Sequence, residues 1–318
     1  MTYSSNHIGG NKSCRENPKK NLDTAARYSG EDYVITSLLL TLFIIVVLSI
    51  LLFDLVVVLL SYNICWYEYS NATPSLVNRR VTWKNIKLVI TLVFSEVFFD
   101  FITLSAIPFG LVFRNNQPTQ RGETPVLLLH GLFVNQSCWF WFKRRLRQQG
   151  FNNIVTLNLS TWHSEEVLTE LVAKRVDELR HQLGVNKVHL VGHSMGGMIA
   201  RNYVQLRGGN DKVEQLICLG SPHLGSKLAT FSMNPLGKLL IPNSAFLQRL
   251  NGAPIPENTQ LTNIYTNKDN MVLPNSNNHL PWGTAIELDG MGHTSLIYRK
   301  APIDATITAL KKQVNPSI

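Results

Sequence analysis

Gly192-His193-Ser194-Met195-Gly196 is the segment of this chain best equipped to do chemistry. It stands between an apolar run at 188–191 and a helical pattern beginning near Met195, so the spacing predicts a serine on a sharp strand-to-helix turn. Gly192 and Gly196 are needed there because such a turn leaves no room for side chains on either flank. Ser194 would then project its hydroxyl at a helix N-terminus, whose dipole favours developing negative charge. A serine at its free pKa is a poor nucleophile and requires a base, which in turn requires an acid to orient it. On a strand–turn–helix scaffold of this kind the acid and then the histidine follow the serine in the chain. Thr266-Asn267-Lys268-Asp269-Asn270 follows an apolar run at 261–265 and puts Asp269 in a strand-end loop, with Asp289 as its rival. Asp289-Gly290-Met291-Gly292-His293 follows the run at 285–288 and puts His293 in the next such loop. His279 is the rival base, but it lies too near Asp269 in sequence to occupy a strand-end loop of its own.

Acyl transfer also needs donors for an oxyanion, and backbone amides can supply both. One is the amide of Met195; the other is assigned to Leu132, in Leu129-His130-Gly131-Leu132-Phe133, with His130 expected to brace that loop and not to react.

These residues need a scaffold that brings distant loops to one edge. From Pro125 onward, short apolar runs at 126–129, 154–157, 188–191, 216–219, 261–265 and 285–288 alternate with amphipathic stretches. Ser164 is placed as the N-cap of one such helix, Val167 through Leu183 recur at helical spacing, and Gly184 ends it. The alternation predicts a parallel sheet covered on both faces, with ligands at the carboxyl ends of its strands.

The rest of the chain has another character. Charged residues are 16% of the 318 and hydrophobic ones 45%, which excludes a disordered or collagen-like chain. Residues 1–32 are polar and are expected to be a disordered tail. Residues 34–60 are nearly all Leu, Ile and Val, and as a helix they reach roughly 40 Å, more than a bilayer core requires, so a transmembrane span is predicted. Tyr28 and Tyr33 on one flank, and Tyr62, Trp66, Tyr67 and Tyr69 on the other, fit aromatic belts. Asp54 would cost about 2.5–3.5 kcal/mol at mid-membrane, so a span of 33–53 with Asp54 at an interface is preferred to a buried functional acid. A second apolar stretch, 88–113, carries Glu96 and Asp100 on one helical face and Pro108 near its end. A second span with its acids turned inward is the preferred reading, and an interfacial helix under the catalytic domain is the alternative. Lys and Arg do not orient the anchor, because the tail carries five and the connecting loop four.

Net charge is +9, but residues 1–114 hold 10 Lys/Arg against 8 Asp/Glu and residues 115–318 hold 20 against 13, too thin a spread for a nucleic-acid footprint. Lys143, Arg144, Arg145 and Arg147 form the one tight cluster, either a solvated face or a patch for anionic headgroups. Cys14, Cys65, Cys138 and Cys218 have no paired spacing, so neither a disulfide framework nor a metal site is read.

Taken together, PVLLLHG (125–131), GHSMGG (192–197), LGSPHLGS (219–226), KDNMV (268–272) and GMGHTSLIY (290–298) resemble the bacterial class 2 lipases of the α/β-hydrolase superfamily, and more closely the membrane-anchored proteobacterial esterase/lipase proteins. The resemblance covers about 115–318. It implies an α/β-hydrolase fold with about six mostly parallel strands, preceded by one or two transmembrane helices. It also implies a Ser194, Asp269, His293 triad with Leu132 and Met195 as the oxyanion hole, and carboxylic esters of lipids cleaved without a cofactor or an obligate protein partner at a bacterial inner membrane. The segment 221–251 is longer than in the minimal lipases and is apolar enough to line or cover an acyl pocket. Thioester cleavage, acyl transfer to an alcohol, or a catalytically silent binding fold are the alternatives.

Overall fold

The computed structural model describes residues 18–72, 82–112, 118 and 120–312. The chain divides into two compact units, Met1–Leu52 and Phe53–Ile318. Helix α1 (Pro18–Ala72) and helix α2 (Trp83–Val112) precede the sheet. Of the expected disordered tail, residues 1–17 lie outside the described residues, while 18–32 belong to α1. Pro18 sits at the first helical position, where its missing N–H costs nothing, and a helix once nucleated propagates cheaply. Phe113 and the basic loop residues Arg79 and Arg80 also lie outside the described residues.

Tyr33–Ser70 and Trp83–Val112 are long and apolar enough to cross a membrane, by length and composition. Within α1 the side chains of Leu38, Leu39, Phe43 and Phe53 are exposed, and Asp54 is the first buried residue among the described side chains from Tyr33 on. From there Val58, Ser61, Tyr62 and Ser70 are buried as well. Their spacing of three, four or eight residues puts them on one stripe of the helix. On α2, Leu92, Glu96, Thr103 and Gly110 form the corresponding buried stripe. Leu92 packs with Val58 and Tyr62 in a small apolar cluster shared by the two helices.

The remainder is a six-stranded, wholly parallel sheet in the order β2-β1-β3-β4-β5-β6. The strands are β1 (Val126–Leu129), β2 (Ile154–Leu157), β3 (Val188–His193), β4 (Val213–Leu219), β5 (Gln260–Thr266) and β6 (Thr284–Leu288). Alternate residues serve opposite faces: Leu127, Leu129, Leu190, Leu216 and Cys218 join one core, and Val126, Leu128, Val191, Ile217 and Leu219 the other. Helices α4 (Glu165–Leu183), α5 (Met195–Leu206), α6 (Pro235–Lys238) and α7 (Ala245–Asn251) cover the first face; α3 (Phe140–Gln148) and α8 (Lys300–Lys311) cover the second. Helix α4 starts and stops as its sequence predicts, with the Ser164 hydroxyl accepting from the Val167 N–H and Gly184 in the left-handed conformation.

The segment 221–251 contributes to the first core and also has exposed apolar residues. Leu236, Leu240, Phe246, Leu247 and Leu250 are in the first core, leaving Leu224, Phe231 and Met233 as its exposed large apolar residues. Its apolar composition serves the domain's own core, which the sequence pattern alone does not distinguish from a pocket wall.

Candidate active site

The strand order reverses between β1 and its two neighbours, which is where sheets of this kind open a crevice at their carboxyl ends. Ser194 occupies that point, between β3 and α5, with φ 55° and ψ −123°. A non-glycine residue in this region carries about 1–3 kcal/mol of strain, held here by surrounding contacts. The Ser194 N–H donates to the Leu219 carbonyl (2.8 Å) and its carbonyl accepts from the Gly197 N–H (3.1 Å). A Cβ at Gly192 would strike the Gly197 backbone, and one at Gly196 the Leu129 and His130 carbonyls, so both glycines are steric necessities.

Beside it, β1 pairs with β3, Leu129 opposite Gly192, so the loop after β1 borders the turn. A Cβ at Gly131 would come within 3.2 Å of the Ser194 Cβ, which puts the Leu132 amide one residue from that approach. His130 braces this loop: its Nδ1–H donates to the Gly131 carbonyl (2.8 Å) and its Nε2 accepts from the Leu159 N–H (2.9 Å). Burial pushes its pKa down to about 4, with the Gly131 bond opposing, so it stays neutral.

Asp269 and His293 lie together, Nδ1 of the imidazole 2.9 Å from Oδ2 and 3.1 Å from Oδ1. Asp269 is fully buried, and its Oδ1 also accepts from the Met271 and Val272 N–H groups (2.8 and 2.9 Å). Gly220, at the end of β4 with φ +56°, leaves the space they occupy: a Cβ there would be 3.3 Å from both Asp269 Oδ2 and His293 Nδ1. The rivals are elsewhere. Asp289 accepts from its neighbour Gly290 N–H, and His279 stands edge-on to Tyr265.

Strand β6 lies three places from β3, about 14 Å at the usual strand spacing, so the loop after it must fold back along the sheet edge to deliver His293. It does: the His193 and His293 rings are 4.7 Å apart, and His193 Nε2–H donates to the His293 carbonyl (3.3 Å). Burial holds His193 well below the usual histidine range, with His293 and His130 adding to the effect. Burial alone would lower His293 too, but Asp269, reinforced by Glu96 and Asp100, leaves its pKa above the ordinary value.

Several supporting residues carry no motif in the sequence. Asn270 Oδ1 accepts from the His293 N–H (3.1 Å), while Asn270 Nδ2 donates to the Ser61 hydroxyl of α1 (2.9 Å). The Cys65 thiol of α1 approaches the Asp269 carbonyl at 3.6 Å. From α2, Glu96 bonds to Thr294 and Ser295, Ser95 receives Arg299 Nη2 (2.9 Å), and Thr103 and Tyr298 share a hydroxyl–hydroxyl bond of 2.6 Å. Further along α2, the Ile107 and Gly110 carbonyls accept from Asn135 and Gln136 side chains, both at 2.8 Å, relieving acceptors near a helix end. The acids of an otherwise apolar helix were the available signal for Glu96; Asn270 had none beyond its place beside Asp269. Among the described residues no cluster of His, Cys, Asp or Glu is arranged to hold a metal ion.

Residues 124–265 match the profile of the alpha/beta hydrolase fold family. The domain has the α/β-hydrolase fold and is similar in sequence to lipases. A triacylglycerol lipase of Pseudomonas fragi is 28% identical over 184 residues, 53% of this chain and 61% of that protein. A triacylglycerol lipase of Pseudarthrobacter phenanthrenivorans is 30% identical over 121 residues, 35% of this chain and 37% of that protein. The chain thus spans less than two thirds of the length of these relatives. Among solved structures, the mature Bacillus licheniformis lipase BlEst2 superposes with a TM-score of 0.55 at 19% identity, covering 62% of this chain and 98% of that one. Aspergillus fumigatus lipase B gives 0.51 at 17%, covering 62% and 56%. The residues matched by the family profile run from just before β1 into β5, within the sheet domain.

Proposed function

We propose that this chain is a membrane-anchored serine hydrolase that cleaves carboxylic esters of lipids through an acyl-enzyme, with Ser194 as nucleophile, His293 as base and Asp269 as the orienting acid. The observation that carries the reading is the His293–Asp269 contact of 2.9 Å, folded back to the strand end where Ser194 is held at positive φ. In the first half-reaction His293 Nε2 takes the Ser194 proton as Oγ attacks the ester carbonyl. The Met195 and Leu132 amides receive the oxyanion, and the imidazolium passes its proton to the leaving alcohol. Water, activated by the same base, then releases the acid. Asp269 fixes the Nδ1–H tautomer and stabilises the imidazolium without taking the proton. The lipase relatives favour lipid esters as the substrate class.

For the anchor, residues 33–53 of α1 are the membrane span in this reading, since their large apolar side chains are exposed and Asp54 begins the buried stripe. The contacts of α2 favour the interfacial placement over a second span. From Ser95 to Gly110, about 22 Å of helix, one face bonds to the hydrolase domain and has no place for lipid. Phe94, Phe98 and Phe109 of α2 are exposed, and Phe98 and Phe109 line, with Phe140, Trp141, Lys143 and Arg147, a cavity of about 900 Å³ between α2 and the hydrolase domain, whose aromatic and basic lining suits the headgroup boundary.

The test uses the full chain, because Ser61 and Glu96 reach the loops in question. Hydrolysis of chromogenic esters of increasing acyl length is expected, with Ser194→Ala lowering kcat by at least about 10⁴-fold and abolishing labelling by a serine-directed phosphonate. A folded Ser194→Ala protein with most of its esterase rate overturns the assignment.

A further inference from the structure

Glu96 is an acid on an apolar helix, fully buried, and the reaction sequence above makes no use of it. Burying a carboxylate costs several kcal/mol unless polar partners compensate. Its partners are unusually concentrated. Oε2 accepts from the Thr294 N–H (2.7 Å), and Oε1 accepts from the Ser295 N–H (3.1 Å) and also from the Ser295 hydroxyl. Thr294 and Ser295 are the two residues after His293, and they open a 3₁₀ turn, Thr294–Ile297, whose first N–H groups would otherwise be orphaned. On the other side of His293, Gly292 is so close that a Cβ there would run into the Glu96 carboxyl and the Tyr62 hydroxyl. One carboxylate therefore grips the chain both before and after the proposed base.

The charges around this imidazole come from several elements. Asp269 faces it from the loop after β5, and Asp100 and Glu96 from α2. His193, from β3, is neutral and donates to its carbonyl. Asp54 and Tyr62 of α1 lie behind Glu96, and Arg299 is drawn aside to Ser95 and the Gly290 carbonyl. The negative charge that a helix outside the hydrolase sheet contributes at His293 is that of Glu96, whose two oxygens accept from the Thr294 N–H, the Ser295 N–H and the Ser295 hydroxyl.

We infer that Glu96 is a positioning residue for His293: it sets the loop that carries the imidazole and adds a second negative charge that favours the imidazolium formed when Ser194 gives up its proton. α2 is on this account part of the active site. The inference rests on the triad reading above.

The decisive experiment is the pH dependence of kcat/KM for ester hydrolysis by the full chain and its Glu96→Gln variant, with phosphonate labelling as a second readout. Gln is isosteric and keeps one acceptor, but removes the charge. Activity requires neutral His293, so its acid limb follows the His293 pKa. Loss of a neighbouring negative charge lowers that pKa and moves the limb to lower pH, by about half a unit or more at the effective dielectric of such sites. The rate on the pH plateau is expected to fall roughly 10- to 100-fold, as for other supporting partners of a catalytic imidazole. Glu96→Asp, which keeps the charge one methylene further back, should move the limb the same way by less. Thr103→Val, which breaks a contact of α2 with Tyr298 away from the loop, should leave the limb unmoved. No movement in either Glu96 variant overturns the inference, as does an equal shift in Thr103→Val. If Ser194→Ala stays active, the triad reading itself fails; if it is dead while Glu96→Gln behaves as wild type, only this inference does.

Discussion

Two regions meet at the loops of Asp269 and His293, and they are built on different principles. The sheet delivers Ser194, Asp269 and His293 through backbone architecture: each stands in the loop after a parallel strand, at one edge of the sheet, and the loop after β6 folds back to bring His293 toward β3. The helical pair supplies none of the three residues of the proposed triad. It delivers single polar side chains, Ser61 from α1 and Glu96 from α2, across roughly two hundred residues of sequence to Asn270, Thr294 and Ser295. In the proposed triad the reacting groups come from strand ends, while the loops of Asp269 and His293 are also bonded by α1 and α2. An enzyme assembled this way should lose chemistry when the first layer is cut, and lose tuning when the second is.

The largest effect sharpens the first half of that contrast. Asp269→Asn leaves the shape intact but presents an amide to His293 Nδ1, favouring the wrong tautomer, and kcat is expected to fall about 10⁴-fold. Asp289→Asn, whose carboxylate bonds only within its own turn, should stay within about twofold, the range of an exposed substitution away from the site. Equal losses in steady-state assays of the two would remove Asp269 from the triad. Next comes Gly196→Ala, whose Cβ would meet the Leu129 and His130 carbonyls; displacing the turn by even about 1 Å should cost on the order of 10²-fold in kcat. Wild-type kinetics there would mean that the turn is not under the constraint its geometry indicates.

The same contrast explains what the sequence disclosed. All six strands were legible, because a buried parallel strand is a short continuous apolar run and the Ser164 cap and Gly184 stop bracket a helix by local chemistry alone. The loops holding Ser194, Asp269 and His293 were legible because each follows such a run directly. The support was not. Asn270 matters through a bond to the His293 backbone, Gly220 through the absence of a side chain under the Asp269–His293 pair, and neither leaves a periodicity to detect. Residues 236–250 show a related limit: an apolar stretch reads alike whether it fills the core or faces a ligand, and Leu236, Phe246 and Leu250 are in the core. Glu96 and Asp100 were visible as anomalies in an apolar helix, but only the fold says which loop they serve.

The smallest effect tests whether the second layer reaches as far as α1. Asn270 is bonded on one side to the His293 N–H and on the other to the Ser61 hydroxyl, so it couples the base to a helix that ends in the proposed membrane span. Asn270→Ala removes the partner of a buried N–H, at about 1–3 kcal/mol, and lets the imidazole drift; a fall of about 10- to 100-fold in kcat with little change in KM is expected. Ser61→Ala leaves that bond in place and removes only the brace behind it. A buried neutral hydrogen bond is worth about 1 kcal/mol, so kcat should fall about fivefold at most, and the double variant should be no worse than Asn270→Ala alone. That non-additivity is the informative outcome, measured in a double-mutant cycle on the full chain. If the two losses multiply, Ser61 acts on the fold by another route, and α1 is an anchor whose contacts stop short of the chemistry.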